Sequence, residues 1–326
     1  MIKSSSRGKT SSYRGLLFIG DPHLEGRQPG FRKDDFPNVV LNKLQWCLDY
    51  ARQNRLLPAL LGDVFDKPRD NPTWMLGRLM EMLAEQEVIG IYGNHDCAET
   101  QLTDDDSLSL LIKSGCFKLV SEDDPWYGQI NERNVYVGGS SYRHPIPSPF
   151  EMPERQQSLF SQSTMVFWMT HHDIDVPGYT SGVVKPTELG NIDYLINGHI
   201  HRRLDPVEQG MTTWLTPGNI SRRSRSDANR AHTPSVLRFD IWADHHESKY
   251  VEVPHKPFDE VFHEAIISDP EPETRSSFVS GLAELMCRRT DTGAGLHEFL
   301  DKNLDQFEPI VAEEIRILAE EVTEDA

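Results

Sequence analysis

Five apolar runs in this 326-residue chain each stop at residues that ligate metals, and that recurrence limits the fold more than any other feature. Residues 16–20 end at Asp21 and His23, 57–62 at Asp63, 88–92 at Gly93-Asn94-His95-Asp96, 165–170 at His171, and 194–198 at His199 and His201. Short apolar runs bounded by polar turns read as buried strands. In open α/β sheets, ligands gather beyond the carboxyl ends of the strands. The five endings are therefore expected to converge on one place.

Between the first three runs lie two helical patterns. Val39, Val40, Leu44, Cys47, Leu48 and Ala51 recur at helical spacing behind Pro37, and Leu76, Leu79, Met80 and Leu83 share a face within residues 72–87. Such β-α-β-α-β alternation predicts a mostly parallel sheet with right-handed crossovers. The acidic stretch 104–106 is expected to cap a helix ending at Lys113. Strands are then predicted at 117–120, 126–130 and 134–139, followed by a Pro-rich loop and a helix near 154–161 that leads into 165–170. Beyond His201, residues 212–215, 235–241 and 249–253 read as strands of a second sheet, and 258–267 as a further strand. The fold class is α/β, with two sheets packed face to face and helices outside.

Charge divides the chain into regions. Residues 256–326 hold 18 acidic against 6 basic side chains, a net of −12, which leaves −6 of the total −18 on residues 1–255. We read residues 1–14 as a disordered tail, 15–255 as a catalytic domain, and 256–326 as an acidic, mainly helical extension. In the extension, Leu300, Leu304, Phe307, Val311, Ile315 and Leu318 form an amphipathic stripe interrupted by Pro309. It either packs on the main domain or docks a partner. No apolar run nears the roughly 20 residues that span a bilayer, so a soluble cytoplasmic protein with no membrane partner is expected. The four cysteines lack CxxC spacing and read as free thiols.

Imidazole, carboxylate and amide together suit Mn, Fe, Zn or Co better than Ca or a thiolate-bound ion. We assign Asp21, His23 and His201 to one divalent ion and Asn94, His171 and His199 to a second. Asp63 bridges them, because a carboxylate can bind one ion with each oxygen. Two ions ~3.5–4 Å apart can lower the pKa of a shared water and present hydroxide to phosphorus. His95 is the candidate proton donor to the leaving group, with Asp96 to orient it. His171 is preferred to its neighbour His172, since successive strand residues face opposite ways. Asp66 is expected behind the ligands. Arg222, Arg223 and Arg225 follow Pro217-Gly218-Asn219 and form a candidate substrate-binding row, because guanidinium groups bind phosphate oxygens in pairs. Trp126, Tyr127 and Tyr142 either stack on bases or pack in the core.

Taken together, Asp21-x-His23, Gly62-Asp63, Gly93-Asn94-His95-Asp96, His171 and Gly198-His199-x-His201 resemble the five signatures of the calcineurin-like metallophosphoesterases. The resemblance covers roughly residues 15–240. It implies a four-layer α/β/β/α sandwich of two mixed sheets, a two-metal centre and hydrolysis of a phosphate ester. Gly62-Asp63-Val64-Phe65-Asp66-Lys67-Pro68, and Pro217-Gly218-Asn219 with its arginines, are similar to the SbcD-like branch of DNA double-strand-break repair nucleases. That branch implies Mn as the activating ion, DNA as substrate and an SMC-like ATPase subunit bound through C-terminal helices, with homodimerisation an option. Asn219 stands where the branch often has Ser, and the region after Val253 is short for a capping domain and tether. A small-molecule phosphodiesterase or phosphomonoesterase is the competing reading. A phosphoprotein phosphatase would carry an arginine soon after the second aspartate and another after Asn-His, and here Lys67 and Asp96 stand instead. A non-catalytic scaffold would lack the ligand types.

Overall fold

The computed structural model describes residues 13–29, 32–151, 164–176, 182–224 and 227–263. By its internal contacts the chain divides into two units, Met1–Arg223 with Ala231–Phe262, and Ser224–Arg230 with His263–Ala326. Both sheets belong to the first unit.

The first half of the chain gives β1 (Gly15–Ile19), α1 (Phe36–Asn54), β2 (Leu56–Leu60), α2 (Thr73–Ala84), β3 (Ile89–Gly90), α3 (Ser107–Lys113) and β4 (Lys118–Leu119). These are the predicted alternation, with the third strand cut to two residues. Local chemistry sets the boundaries of α1. The Asp35 carboxylate accepts the Asn38 amide at the N-cap, Pro37 sits in the first turn, and Arg55 ends the helix in a left-handed conformation. Its buried face, Val40, Leu41, Leu44, Cys47, Leu48 and Ala51, lies against the sheet.

There follow β5 (Trp126–Ile130), β6 (Arg133–Ser140), β7 (Met165–Thr170), β8 (Tyr194–Asn197), β9 (Val207–Gln209), β10 (Thr212–Leu215), α4 (Asp227–Ala231), β11 (Ser235–Ile241), β12 (His246–Glu252) and α5 (Phe258–Val261). Two six-stranded mixed sheets result, in the orders β12-β11-β1-β2-β3-β4 and β5-β6-β7-β8-β10-β9. Alternation along each strand distributes side chains between layers. Leu17, Ile19, Leu56 and Leu60 face the helices, while Leu16, Phe18, Leu57 and Ala59 face the other sheet. Phe18, Phe167 and Phe239 meet between the sheets, with ring centroids 4.9–6.0 Å apart. The outer face of the second sheet, with Tyr136, Trp168, Leu195 and Trp214, is covered by Phe150, Ile174, Leu189 and Ile192. Among the described residues that layer is loop, and the helix expected near 154–161 lies outside them.

Two expectations need correction. β11 and β12 join the first sheet, not the second: β11 runs antiparallel to β1 with Leu16 opposite Phe239. Gly15 allows this, because a Cβ there would collide with the Phe239 carbonyl. Residues 258–261 form a helical turn instead of a strand. Phe258 and Val261 are buried one turn apart, and Asp259 and Glu260 occupy its positive end. The predicted tail up to residue 12 and the stripe from Leu300 to Leu318 lie outside the described residues.

Candidate metal centre

β1, β2 and β3 are mutually parallel, and so are β6, β7, β8 and β10. Their carboxyl ends deliver Asp21 and His23, Asp63, Asn94 and His95, His171, and His199 and His201. The turns that carry these residues are strained. Asp21 (φ 32°), His23 (φ 46°), Asp63 (φ 47°) and His199 (φ 67°) all adopt left-handed backbone, a conformation that costs non-glycine residues about 1–2 kcal/mol each. Such strain concentrates where the fold aims side chains for function. Glycine is required beside them. A Cβ at Gly93 would strike Asp63 Oδ1 and His171 Nε2, and one at Gly198 would strike the Leu61 carbonyl and Asp21 Oδ1.

The candidate ligand atoms meet closely. His23 Nε2 lies 2.9 Å from His201 Nε2 and 3.4 Å from Asp63 Oδ2. His171 Nε2 lies 3.2 Å from both Asp63 Oδ2 and Asn94 Oδ1, and His199 Nδ1 lies 3.1 Å from the same Asn94 oxygen. Two clusters can each hold an ion, His23-Asp63-His95 and Asp63-His171-His199, and Asp63 belongs to both. Asp21 Oδ1 accepts the His199 amide, while its Oδ2 is buried with no hydrogen-bond partner. The tautomer of His171 is fixed by its surroundings, because Nδ1 lies 2.7 Å from the Leu61 carbonyl and must donate to it. Its Nε2 then faces two oxygens. Lone pairs converging in this way, with an orphaned carboxylate oxygen beside them, fit a pair of divalent cations.

Electrostatics agree with that fit. Burial pushes the Asp21 carboxyl up to about 7, against the pull of His171. Burial and then the charge of Asp63 push Asp96 up to about 7 as well. Asp63 is itself buried, yet His171 and His95 hold it well below the carboxylate range. Burial disfavours charge on His171, but Asp63 and Asp21 outweigh it and raise the imidazole to about 10. The protons held here occupy sites that cations would take.

Not every candidate is placed as expected. Asp96 does not orient His95: its carboxylate accepts the Phe65 and Gly93 amides, both at 3.0 Å, and so locks the Asn94 turn to the β2 turn. Asp66 serves His95 instead, through its backbone carbonyl, 2.8 Å from Nδ1. Its carboxylate pairs with Arg223, whose Nη1 stands 3.2 Å from His23 Nε2. The two described arginines of the row therefore diverge. Arg223 enters the centre, whereas Arg222 donates to the His232 and Lys256 carbonyls, and Arg225 lies outside the described residues. His172 turns away, to the His144 carbonyl. Trp126 packs between the sheets, and Tyr127 and Tyr142 pack against the flanking cores. The Leu61 and Asp66 carbonyls were missed because a backbone acceptor leaves no mark in sequence.

The family model for calcineurin-like phosphoesterases matches residues 15–203, more than half of the chain, and the chain belongs to that family. It is a metal-dependent phosphoesterase, and its His/Asp clusters are sites that can bind the metal. No curated protein sequence matches it. Among solved structures it is similar to a hypothetical protein from Thermus thermophilus, at 11% identity over 74% of this chain and 100% of that one, with a TM-score of 0.40. It is also similar to a predicted phosphoesterase from Streptococcus pneumoniae, at 10% identity over 76% and 93%, with a TM-score of 0.33. A third is GAP50, described as the anchor in the inner membrane complex of Plasmodium, at 10% identity over 73% and 84%, with a TM-score of 0.41. No helix among the described residues is long and apolar enough to cross a membrane.

Proposed function

We propose that the protein is a Mn-dependent nuclease that hydrolyses phosphodiester bonds of DNA in repair or recombination. The observation that carries this reading is the joint position of His95 and Arg223 beside His23. Of the groups around the first cluster, Asp21, His23, Asp63 and His201 would hold one ion while His95 is kept for proton transfer, and Asn94, His171, His199 and Asp63 would hold the other. Such a pair supplies an activated water and charge stabilisation at phosphorus. His95 lends its Nδ1–H to the Asp66 carbonyl, so in the imidazolium form it is the Nε2 proton that passes to the leaving oxygen, leaving the ring neutral. Arg223, held by Asp66, would bind a non-bridging phosphate oxygen through its guanidinium. The run from Gly62 to Pro68 and the Pro217-Gly218-Asn219 turn support DNA over a smaller substrate. Docking of an SMC-like ATPase on residues 300–318 rests on the sequence stripe alone, and homodimerisation is a further option.

One observation favours a second reading. Among the described residues Arg222 is turned to two carbonyls and does not line up with Arg223, and a small-molecule phosphodiesterase needs no row of guanidinium groups. Turnover of linear DNA, a cyclic nucleotide and a chromogenic monoester, each with Mn, separates the two. We expect DNA to be degraded fastest, and Asp63→Ala and His199→Ala to abolish this. Hydrolysis of the cyclic nucleotide alone would overturn the nuclease reading.

A further inference from the structure

A second cleft opens at the other end of the first sheet, where β1 and β2 begin. Arg14, Arg55, Arg238 and Lys249 line it together with Asp240, Trp242 and Glu247, and it encloses about 680 Å³. At ~3.3 Å per strand residue, Arg14 and Asp21 are on the order of 20 Å apart, so this cleft is separate from the metal centre.

Its floor is rigid. Arg238 donates to Asp240 through Nε at 2.8 Å and Nη2 at 2.6 Å, and through Nη1 to the Tyr50 hydroxyl at 2.7 Å and Asn54 Oδ1 at 2.9 Å. Lys249 Nζ lies 3.6 Å from the same Asp240 carboxylate. Four cations face two carboxylates, Asp240 and Glu247, so the cleft is locally positive in a chain whose net charge is −18. Arg55 sits at the left-handed cap of α1 with φ 57° and ψ 45°, where glycine would be less strained by about 1 kcal/mol. Helix termination therefore does not explain an arginine there. At the lip, Trp242 is 37% exposed and stacks flat on His245, with ring centroids 4.5 Å apart.

Volumes of roughly 300–1,000 Å³ suit small ligands. Guanidinium forks take phosphate oxygens, and an indole offers a face to a base. We propose that this cleft binds a nucleotide, with its phosphates on Arg14, Arg55 and Lys249 and its base against Trp242. The proposal does not depend on what the metal centre cleaves.

Calorimetric titration of the full chain in EDTA tests it, with adenosine 5′-monophosphate, ATP, adenosine and inorganic phosphate as probes. Both nucleotides are expected to bind with Kd below ~1 mM, with ATP the tighter, and adenosine and phosphate at least ~10-fold more weakly. Arg55→Gly relieves the strained cap, so its melting temperature is expected to stay within ~3 °C of the parent. Its nucleotide affinity is expected to fall ~10-fold or more. Trp242→Ala is expected to weaken nucleotides and leave phosphate unchanged, and Asp63→Ala to bind nucleotide like the parent. No binding at ~5 mM, parental affinity in Arg55→Gly, phosphate binding as tightly as the monophosphate, or loss of binding in Asp63→Ala would each overturn the proposal.

Discussion

Arg222 and Arg223 are neighbours in sequence with unlike roles. Arg222 satisfies two carbonyls, so Arg222→Ala is expected to lower stability by ~1–3 kcal/mol, read as a lower urea midpoint at unchanged slope. Turnover should persist. Arg223 lies in the centre, and Arg223→Ala is expected to slow hydrolysis of DNA and of a small chromogenic diester alike, by ~10²–10³-fold. Arg223→Lys should recover little, because an ammonium lacks the fork; full activity in either variant would remove Arg223 from the site. His232 supplies a pH test away from the ligands. Its Nε2 lies 2.9 Å from the Asn219 carbonyl, and burial lowers its pKa from 6.5 to about 4. The folded state thus binds fewer protons than the unfolded state between those values. Stability is present above about 6.5 and is lost as pH falls through 4, by on the order of 3 kcal/mol. His232→Gln should flatten that part of the stability profile.

At the scale of elements, the contact between the sheets is what brings the strand ends together. Phe18 is fully buried between Phe167 and Phe239. Phe18→Ala is expected to cost ~3–5 kcal/mol, and Phe18→Leu clearly less. A cost under ~1 kcal/mol for the alanine variant, by denaturant unfolding, would mean that the sheets do not meet there. β1, β2, β3, β7 and β8 were legible because each lies in a short apolar run with a polar stop, a signal carried within the strand. The sheet membership of β11 and β12 was not. It depends on pairing with β1, more than 200 residues earlier, and on the space left by Gly15. The turn at Phe258 reads as a strand for a similar reason, since its apolar residues suit either period over so short a stretch.

The fold buries several carboxylates and imidazoles together. Without cations, Asp21 binds its proton more tightly folded (about 7) than unfolded (3.8), and His171 likewise (about 10 against 6.5). Metal-free stability from these two groups therefore falls as pH rises through 4–7 and 6.5–10. Cations replace those protons. Mn at about 100 times its Kd is expected to add ~2.7 kcal/mol, seen as a higher melting temperature, with a larger gain at pH 8 than at pH 6. Asp63→Ala should show no gain, and an equal gain in that variant would place the ions elsewhere. The ligand residues and their order along the chain could be read locally, because a strand that ends in a polar turn announces both its direction and its cargo. Which groups orient them could not. The Leu61 and Asp66 carbonyls, the left-handed turns, the inward Asp96 and the diverted Arg222 arise from contacts between distant segments, and no residue carries in its own identity the neighbour that packing will bring to it.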